Sequence, residues 1–76
     1  MESSLDRQEL NFLEEMRRLA DPISVEMRRV RGEYWLRAVH KGDVIIGVQA
    51  RTRSTLRIRF TVELNRVRSA KMISAS

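Results

Sequence analysis

The chain contains no cysteine, one histidine and one proline among its 76 residues. The absence of cysteine excludes disulfide scaffolds, thiol nucleophiles and cysteine-based zinc sites. A histidine-rich metal site is excluded as well, and an acid–base triad would depend on His40 alone. The carboxylates of the second part of the chain are scattered rather than paired: Glu26, Glu33, Asp43 and Glu63. We therefore expect no catalytic residue, no metal, no cofactor and no enzymatic activity.

Long hydrophobic runs are also missing, since no apolar segment approaches the roughly 20 residues of a membrane span. The first ten residues, MESSLDRQEL, are acidic, whereas a secretory signal is basic and then strongly apolar. These features are typical of a soluble, cytoplasmic protein. The length predicts a single domain over residues 1–76. Such a small domain buries only about 60% of its unfolded surface, so self-association would add stability.

The chain is rich in charged residues, and arginine is the commonest of them. Basic residues number 15 against 10 acidic ones, and the only lysines are Lys41 and Lys71. The net charge is −3 over residues 1–22 and +8 over residues 23–76. Because the forked guanidinium matches phosphate and carboxylate groups, this bias indicates a polyanion or an acidic protein surface as partner.

Residues 5–20 are predicted to form an amphipathic helix. Its apolar residues recur at helical spacing: Leu10, Leu13, Met16 and Ala20. Asp6 followed by Glu9 is the signature of a capping box at the helix start. The helix ends at Asp21, because the residue before Pro22 is pushed out of the α region.

Residues 23–68 are predicted to form short antiparallel strands. The first three segments are rich in β-forming residues: Ile23–Val30, Glu33–His40 and Val44–Ala50. Gly32 and Gly42 mark tight turns between them. Residues 51–54 are predicted to be a polar loop, and residues 69–76 a frayed tail.

The clearest alternation in the chain follows this loop and predicts a fourth strand. Its apolar face consists of alternate residues: Leu56, Ile58, Phe60, Val62 and Leu64. Val67 extends the pattern into a short fifth strand. The expected fold is α+β and mostly β: an N-terminal helix followed by four or five short antiparallel strands that form a small barrel. Its exposed edges would pair with other copies in a homo-oligomer.

The polar face of the predicted fourth strand carries the main candidate site. Arg57 and Arg59 would point the same way, about 7 Å apart, close to the spacing of successive phosphates. Arg51 and Arg53 extend this row, and Tyr34, Trp35 or Phe60 is a candidate for base stacking. Further candidate cations lie near the helix end and the turns: Arg17, Arg18, Arg28, Arg29, Arg31 and Lys41.

Other interpretations of these arginines stay open. Alternating arginines on an exposed strand also keep an edge from aggregating. Arg17 and Arg18 also complement the dipole at a helix C-terminus. An acidic protein is a further possible partner of the basic face.

Several short motifs occur in an order that is found in a known family: Leu10-Asn11-x-Leu13, Arg17-Arg18, Pro22-Ile23-Ser24-Val25, Arg31-Gly32, Asp43 and Phe60-Thr61-Val62-Glu63-Leu64. In these motifs the chain resembles the Sm-like, Hfq-like family of RNA-binding proteins. The resemblance implies a small barrel that assembles into a ring and binds single-stranded RNA, with Arg17 and Arg18 on its outer rim.

A second resemblance covers the last half of the chain. Its motifs are Lys41-Gly42-Asp43-Val44-Ile45-Ile46 and Ser54-Thr55-Leu56-Arg57-Ile58-Arg59. They are similar to the trp RNA-binding attenuation protein family. That family binds RNA through a Lys-x-Arg strand pair, which the resemblance assigns here to Arg57 and Arg59.

The expected function is therefore binding of single-stranded RNA, with single-stranded DNA as an open alternative. The protein would act as a homo-oligomeric post-transcriptional regulator or RNA chaperone through arginine–phosphate contacts. The alternative is a small protein-interaction module or phage-type inhibitor, which docks its basic face on an acidic or nucleic-acid-binding partner.

Overall fold

The protein is described by a computed structural model that covers residues 5–71. The elements are α1 (Arg7–Ala20), β1 (Ser24–Val30), β2 (Glu33–His40), β3 (Asp43–Ala50) and α2 (Arg53–Lys71). The α+β class, the N-terminal helix and the first three strands are confirmed. The barrel of four or five strands is wrong, because residues 5–71 contain a single, unclosed sheet of three strands. No helix within these residues is long and apolar enough to cross a bilayer.

Helix α1 begins with the capping box that the sequence predicts. The Asp6 carboxylate accepts a hydrogen bond from the Glu9 amide at 2.8 Å, and the Asp6 amide donates to the Glu9 carboxylate at 2.9 Å. These two bonds satisfy backbone and side-chain groups that a helix start leaves unpaired. The helix ends at Ala20, with Asp21 as its C-cap before Pro22.

The sheet is a meander in the order β1-β2-β3, with antiparallel pairing throughout. Both hairpins close through two-residue turns, Arg31-Gly32 and Lys41-Gly42, whose four φ angles are all positive. Two central residues with positive φ match the right-handed twist of the flanking strands, which is why such turns join hairpins. Each turn thus holds a cation, Arg31 or Lys41, at an end of the sheet.

Both helices pack on one face of the sheet and share a single core. Cross-strand neighbours such as Val25, Ala38 and Ile46 lie on that face and are almost completely buried. α1 lies mainly against β1, and α2 lies mainly against β3. The fold is therefore a two-layer arrangement in which the opposite sheet face carries no helix among residues 5–71.

The segment predicted to be the fourth and fifth strands is helix α2. Leu56, Phe60 and Leu64, which are four residues apart, are at most 1% exposed. Ile58 and Val62, on the predicted apolar strand face, are 64% and 56% exposed.

The boundaries of α2 also change the predictions for its flanks. The predicted loop at residues 51–54 shrinks to Arg51 and Thr52, because α2 begins at Arg53. Residues 69–71 of the predicted tail are the last residues of α2, and residues 72–76 lie outside the described residues.

Substitutions in α2 separate a helix from a strand in solution. Leu56→Ala should lower the free energy of unfolding by about 2–5 kcal/mol, because it leaves a cavity in the core. Ile58→Ala should change it by less than about 0.5 kcal/mol, because that side chain is mostly in solvent. Urea denaturation followed by circular dichroism measures both values. Equal losses for the two variants would contradict the helix.

Candidate nucleic-acid interface

One end of the molecule brings together the starts of both helices and the β1–β2 turn. Glu9, in the first turn of α1, contacts Arg29 of β1 and Tyr34 of β2, which pair with each other beside that turn. Ala50, the last residue of β3, also pairs with Tyr34, and α2 begins three residues later. The three elements therefore meet at the same end of the sheet.

The two helices run in the same direction from this end. Near their starts, the Arg53 guanidinium donates to the Gln8 amide oxygen at 3.2 Å. Near their ends, the Arg68 guanidinium donates to the Leu19 carbonyl at 3.0 Å. Both positive helix N-termini consequently lie at one end, where they favour negative charge.

Four arginines lie at this end, on the β1–β2 turn and at the start of α2; we call them the arginine end: Arg31, Arg51, Arg53 and Arg57. The side chain of Arg51 is 85% exposed and lies 3.9 Å from Glu33. An ion pair that loose and exposed contributes little, so the guanidinium is available to another anion.

Thr52, the residue before helix α2, caps the start of the helix. The Thr55 amide donates to the Thr52 hydroxyl at 3.2 Å, and the Leu56 amide donates to the Thr52 carbonyl at 3.0 Å. Arg53 and Arg57 are four residues apart and so lie one helical turn apart on the same side of α2. Their guanidinium groups therefore line the same edge of the molecule.

A cleft of about 370 Å³ separates the first turns of α1 and α2. It is lined by polar and charged side chains around one aromatic: Gln8, Asn11, Phe12, Glu15, Arg53, Ser54 and Arg57. Arg57 lies over the Phe12 ring, 5.4 Å from its centroid, and bonds to Glu15. This bond holds the pKa of the Glu15 carboxyl below its usual value. The cleft can therefore offer amide, hydroxyl and guanidinium groups to a ligand.

The buried carboxylate of Glu9, which is 2% exposed, lies beside the arginine end and fixes the elements that carry it. Burial by itself raises the pKa of Glu9, but hydrogen bonds from Tyr34, the Asp6 amide and Arg29 outweigh it and lower the pKa. Arg29 and Tyr34 each donate at 2.7 Å. Glu9 is therefore a charged anchor between α1 and two strands.

The leading pair from the sequence is separated by the helix. Arg57 and Arg59 are two residues apart, which places them about 200° apart around α2 instead of on one face. Arg57 points toward α1 and Glu15, whereas Arg59 donates to the Gln49 carbonyl of β3 at 2.6 Å. The 7 Å phosphate spacing expected from a strand is therefore wrong.

Arg51 and Arg53 lie at the arginine end, and the other predicted site residues lie in three separate places. Arg17, Arg18 and Lys41 lie at the opposite end, and Arg17 donates to the Val25 carbonyl at 3.3 Å. Arg29 and Tyr34 are engaged with Glu9. The remaining predicted residue, Arg28, is exposed on the sheet face without helices.

The sequence does not single out Gln8 and Asn11, whereas it does indicate Arg31 and Trp35 as candidates, and all four are exposed. Gln8 and Asn11 enter the cleft, and Arg31 lies at the tip of the first turn. Trp35 is 43% exposed on the helix-free sheet face, directly opposite Arg28. The alternation of Tyr34 and Trp35 predicts that they face opposite sides, and the arginine beside Gly32 is a turn signal that marks an exposed cation.

The described part of the chain has no candidate metal site. Residues 5–71 contain no group of three or more histidine, cysteine, aspartate or glutamate side chains that could hold a metal ion.

Comparisons with known proteins give no relative for this fold and interface. No family model, no curated protein and no solved structure matches the chain. Any functional conclusion therefore depends on the geometry of the chain itself.

The Glu9 anchor predicts an acid-labile fold. A carboxylate whose pKa is lowered in the folded state adds stability above its unfolded value, near 4.5, and loses it as pH falls through the folded value. Glu9→Gln should lower the melting temperature at pH 7 by about 5 °C or more, and should flatten its decline below about pH 4.5. Exposed Glu14→Gln is the matched control and should leave the curve unchanged. Thermal melts between pH 7 and pH 3 test this, and identical pH curves for Glu9→Gln and wild type would contradict it.

Proposed function

We propose that the protein is a cytoplasmic RNA-binding protein and that the arginine end contacts the RNA backbone. The observation that carries the proposal is the convergence of four arginines and two helix N-termini at one end of the molecule. Phosphate contacts supply most of the affinity in protein–nucleic acid complexes, and arginines and helix N-termini are both suited to them. The RNA partner and three of the arginines, Arg51, Arg53 and Arg57, are those expected from the sequence, whereas Arg59 is replaced by Arg31.

The arrangement favours duplex RNA over a single strand. Single-strand binding needs aromatic rings on which bases stack. The one ring in the cleft, Phe12, is 4% exposed and is covered by Arg57. Duplex RNA is instead recognised by shape, through phosphates and the 2′-hydroxyl groups of its wide, shallow minor groove. The arginines and the neighbouring side-chain amides of Gln8 and Asn11 supply hydrogen-bond donors for the phosphates and for the 2′-hydroxyl groups.

A rigid surface also suits a duplex. Arg53 and Arg57 sit on a helix, and Arg31 sits on a two-residue turn, so their backbones are fixed before RNA binds. Contacts that are already in place cost less ordering entropy on binding. A duplex presents phosphates on a similarly fixed surface, so the two can meet without either refolding.

Removing cations from the arginine end should weaken duplex binding selectively. Arg51→Ala/Arg53→Ala should raise the Kd for a duplex RNA of about 16 base pairs by about tenfold or more. It should also reduce the slope of log K against log[salt] by about 1 to 2, because two phosphate contacts are lost. Fluorescence anisotropy with labelled duplex RNA measures both quantities.

The matched control removes the same charge at the other end of the molecule. Arg18→Ala/Lys41→Ala should change the Kd by less than about twofold, apart from the general effect of net charge. Equal losses for the two double variants would contradict a localised interface. Failure of wild-type protein to bind duplex RNA at low salt, together with retention of an acidic protein partner after nuclease treatment, would favour the protein-interaction alternative.

A second candidate surface retains the single-stranded expectation. On the helix-free sheet face, Trp35 lies between Arg28 on β1 and Gln49 on β3, its direct neighbours in the sheet. A shallow cavity of about 240 Å³ borders this ring and is lined by Glu26, Arg28, Val30, Trp35 and Arg37. An exposed ring beside an arginine that has no ion-pair partner among residues 5–71 is a combination on which unstacked bases bind.

Trp35→Ala distinguishes the two surfaces. If single strands bind the sheet face, this substitution should raise the Kd for a single-stranded RNA by about tenfold, from a loss of roughly 1–3 kcal/mol of stacking per base. Its effect on duplex binding should stay within about twofold. Val44→Ala, an exposed residue of β3 that does not line this cavity, is the control for a general change in the sheet. Quenching of the only tryptophan by RNA gives an independent signal. Unchanged single-strand affinity of Trp35→Ala would exclude this surface.

A further inference from the structure

A third exposed surface, distinct from the arginine end and the helix-free sheet face, lies on the opposite side of α2 from the cleft. Ile58 and Val62 are one helical turn apart and are 64% and 56% exposed, although both are β-branched aliphatic residues. Together with half-buried Val48 of β3 they border a groove of about 240 Å³. Two large apolar side chains in one patch on a 76-residue protein indicate a contact surface, because isolated exposed residues would not share a groove.

The same groove runs along the free edge of the sheet. β3 is the last strand in the order β1-β2-β3, so one side of its backbone has no strand partner among residues 5–71. An unpaired strand edge is a template for another strand unless it is covered or blocked. β3 carries no proline and no lysine, which are residues that commonly block such edges. Val48 places the apolar groove beside this strand, where Arg59 of α2 also bonds to the Gln49 carbonyl.

The charges that flank the groove are self-complementary. Its remaining two residues are one cation and one anion, Arg59 and Glu63, four residues apart on α2. If two copies of α2 cross antiparallel near Val62, Arg59 of each copy faces Glu63 of the other. Glu63 has a helix neighbour, Arg66, at 3.5 Å, but both groups of that pair are partly exposed, so it offers little competition.

We propose that this surface, defined by Val48, Ile58, Arg59, Val62 and Glu63, is the interface of a twofold symmetric homodimer. A twofold interface uses the same patch on both copies, so it requires a patch that matches itself in shape and charge. The apolar pair Ile58 and Val62 meets this requirement, because Arg59 and Glu63 lie one helical turn apart on one flank of it and carry opposite charges. An RNA would instead require a net positive patch, which this groove does not have. The inference does not rest on the proposed function.

The first test compares apolar substitutions by sedimentation velocity without RNA. Wild type should show a reversible monomer–dimer equilibrium between about 1 µM and about 1 mM. Ile58→Ser/Val62→Ser should raise the dimer Kd by about tenfold or more, because each residue loses buried apolar area. Val30→Ser/Leu10→Ser removes two residues that are exposed elsewhere and should leave the Kd unchanged within about twofold. Circular dichroism confirms that each variant is folded.

The second test uses the charge pair and identifies the antiparallel geometry. Arg59→Glu and Glu63→Arg should each weaken the homodimer, because each places like charges together. The double variant, Arg59→Glu/Glu63→Arg, should regain the wild-type Kd. A mixture of the two single variants should form heterodimers in preference to either homodimer.

Three results would overturn the proposal. One is a wild-type protein that stays monomeric at about 1 mM. Another is a dimer that Val30→Ser/Leu10→Ser disrupts as strongly as Ile58→Ser/Val62→Ser, which would place the interface elsewhere. The third is an assembly larger than a dimer, which a closed twofold interface does not allow.

Discussion

The buried carboxylate of Glu9 is the interaction on which the arrangement of this fold depends. An ionised carboxylate in a protein interior is unfavourable unless charged and hydrogen-bonding partners surround it. Glu9 receives the Asp6 amide from its own helix cap, Arg29 from β1 and Tyr34 from β2. Its first turn of α1 is therefore held against one particular end of the sheet. α2 follows β3 from the same end, so both helices run in the same direction and their N-termini meet the arginines.

Much of the first half of the chain could be predicted because several local signals agree there. The capping box at Asp6 and Glu9 and the stop at Pro22 define α1 independently of its apolar spacing. Gly32 and Gly42 follow Arg31 and Lys41 in turns that require positive φ, so the hairpin positions are encoded within two residues each. Local chemistry of this kind needs no information about the rest of the fold.

Helix α2 could not be predicted from alternation because its core residues fit two periods at once. Leu56, Phe60 and Leu64 are four apart, a spacing that is even and therefore also places them on one face of a strand. Only Ile58 and Val62 distinguish a strand from a helix, because a strand would bury them with the other three. They are exposed in the structure, as a helix requires. The length of the segment does separate a helix from a strand. No glycine or proline follows Gly47, and 19 residues without such a break are far longer than a typical strand.

The error in α2 also explains why the predicted row of arginines is not formed. A strand would have aligned Arg57 with Arg59, whereas the helix turns Arg57 toward α1 and Arg59 toward β3. The same rotation places Ile58 and Val62 on a different side of α2 from Arg53 and Arg57. A dimer formed through that apolar side would leave both arginine ends exposed. If the arginine ends contact RNA, as proposed, two of them held in one particle would raise the effective concentration of the second contact. A domain with few phosphate contacts of its own would then gain avidity without any additional residue.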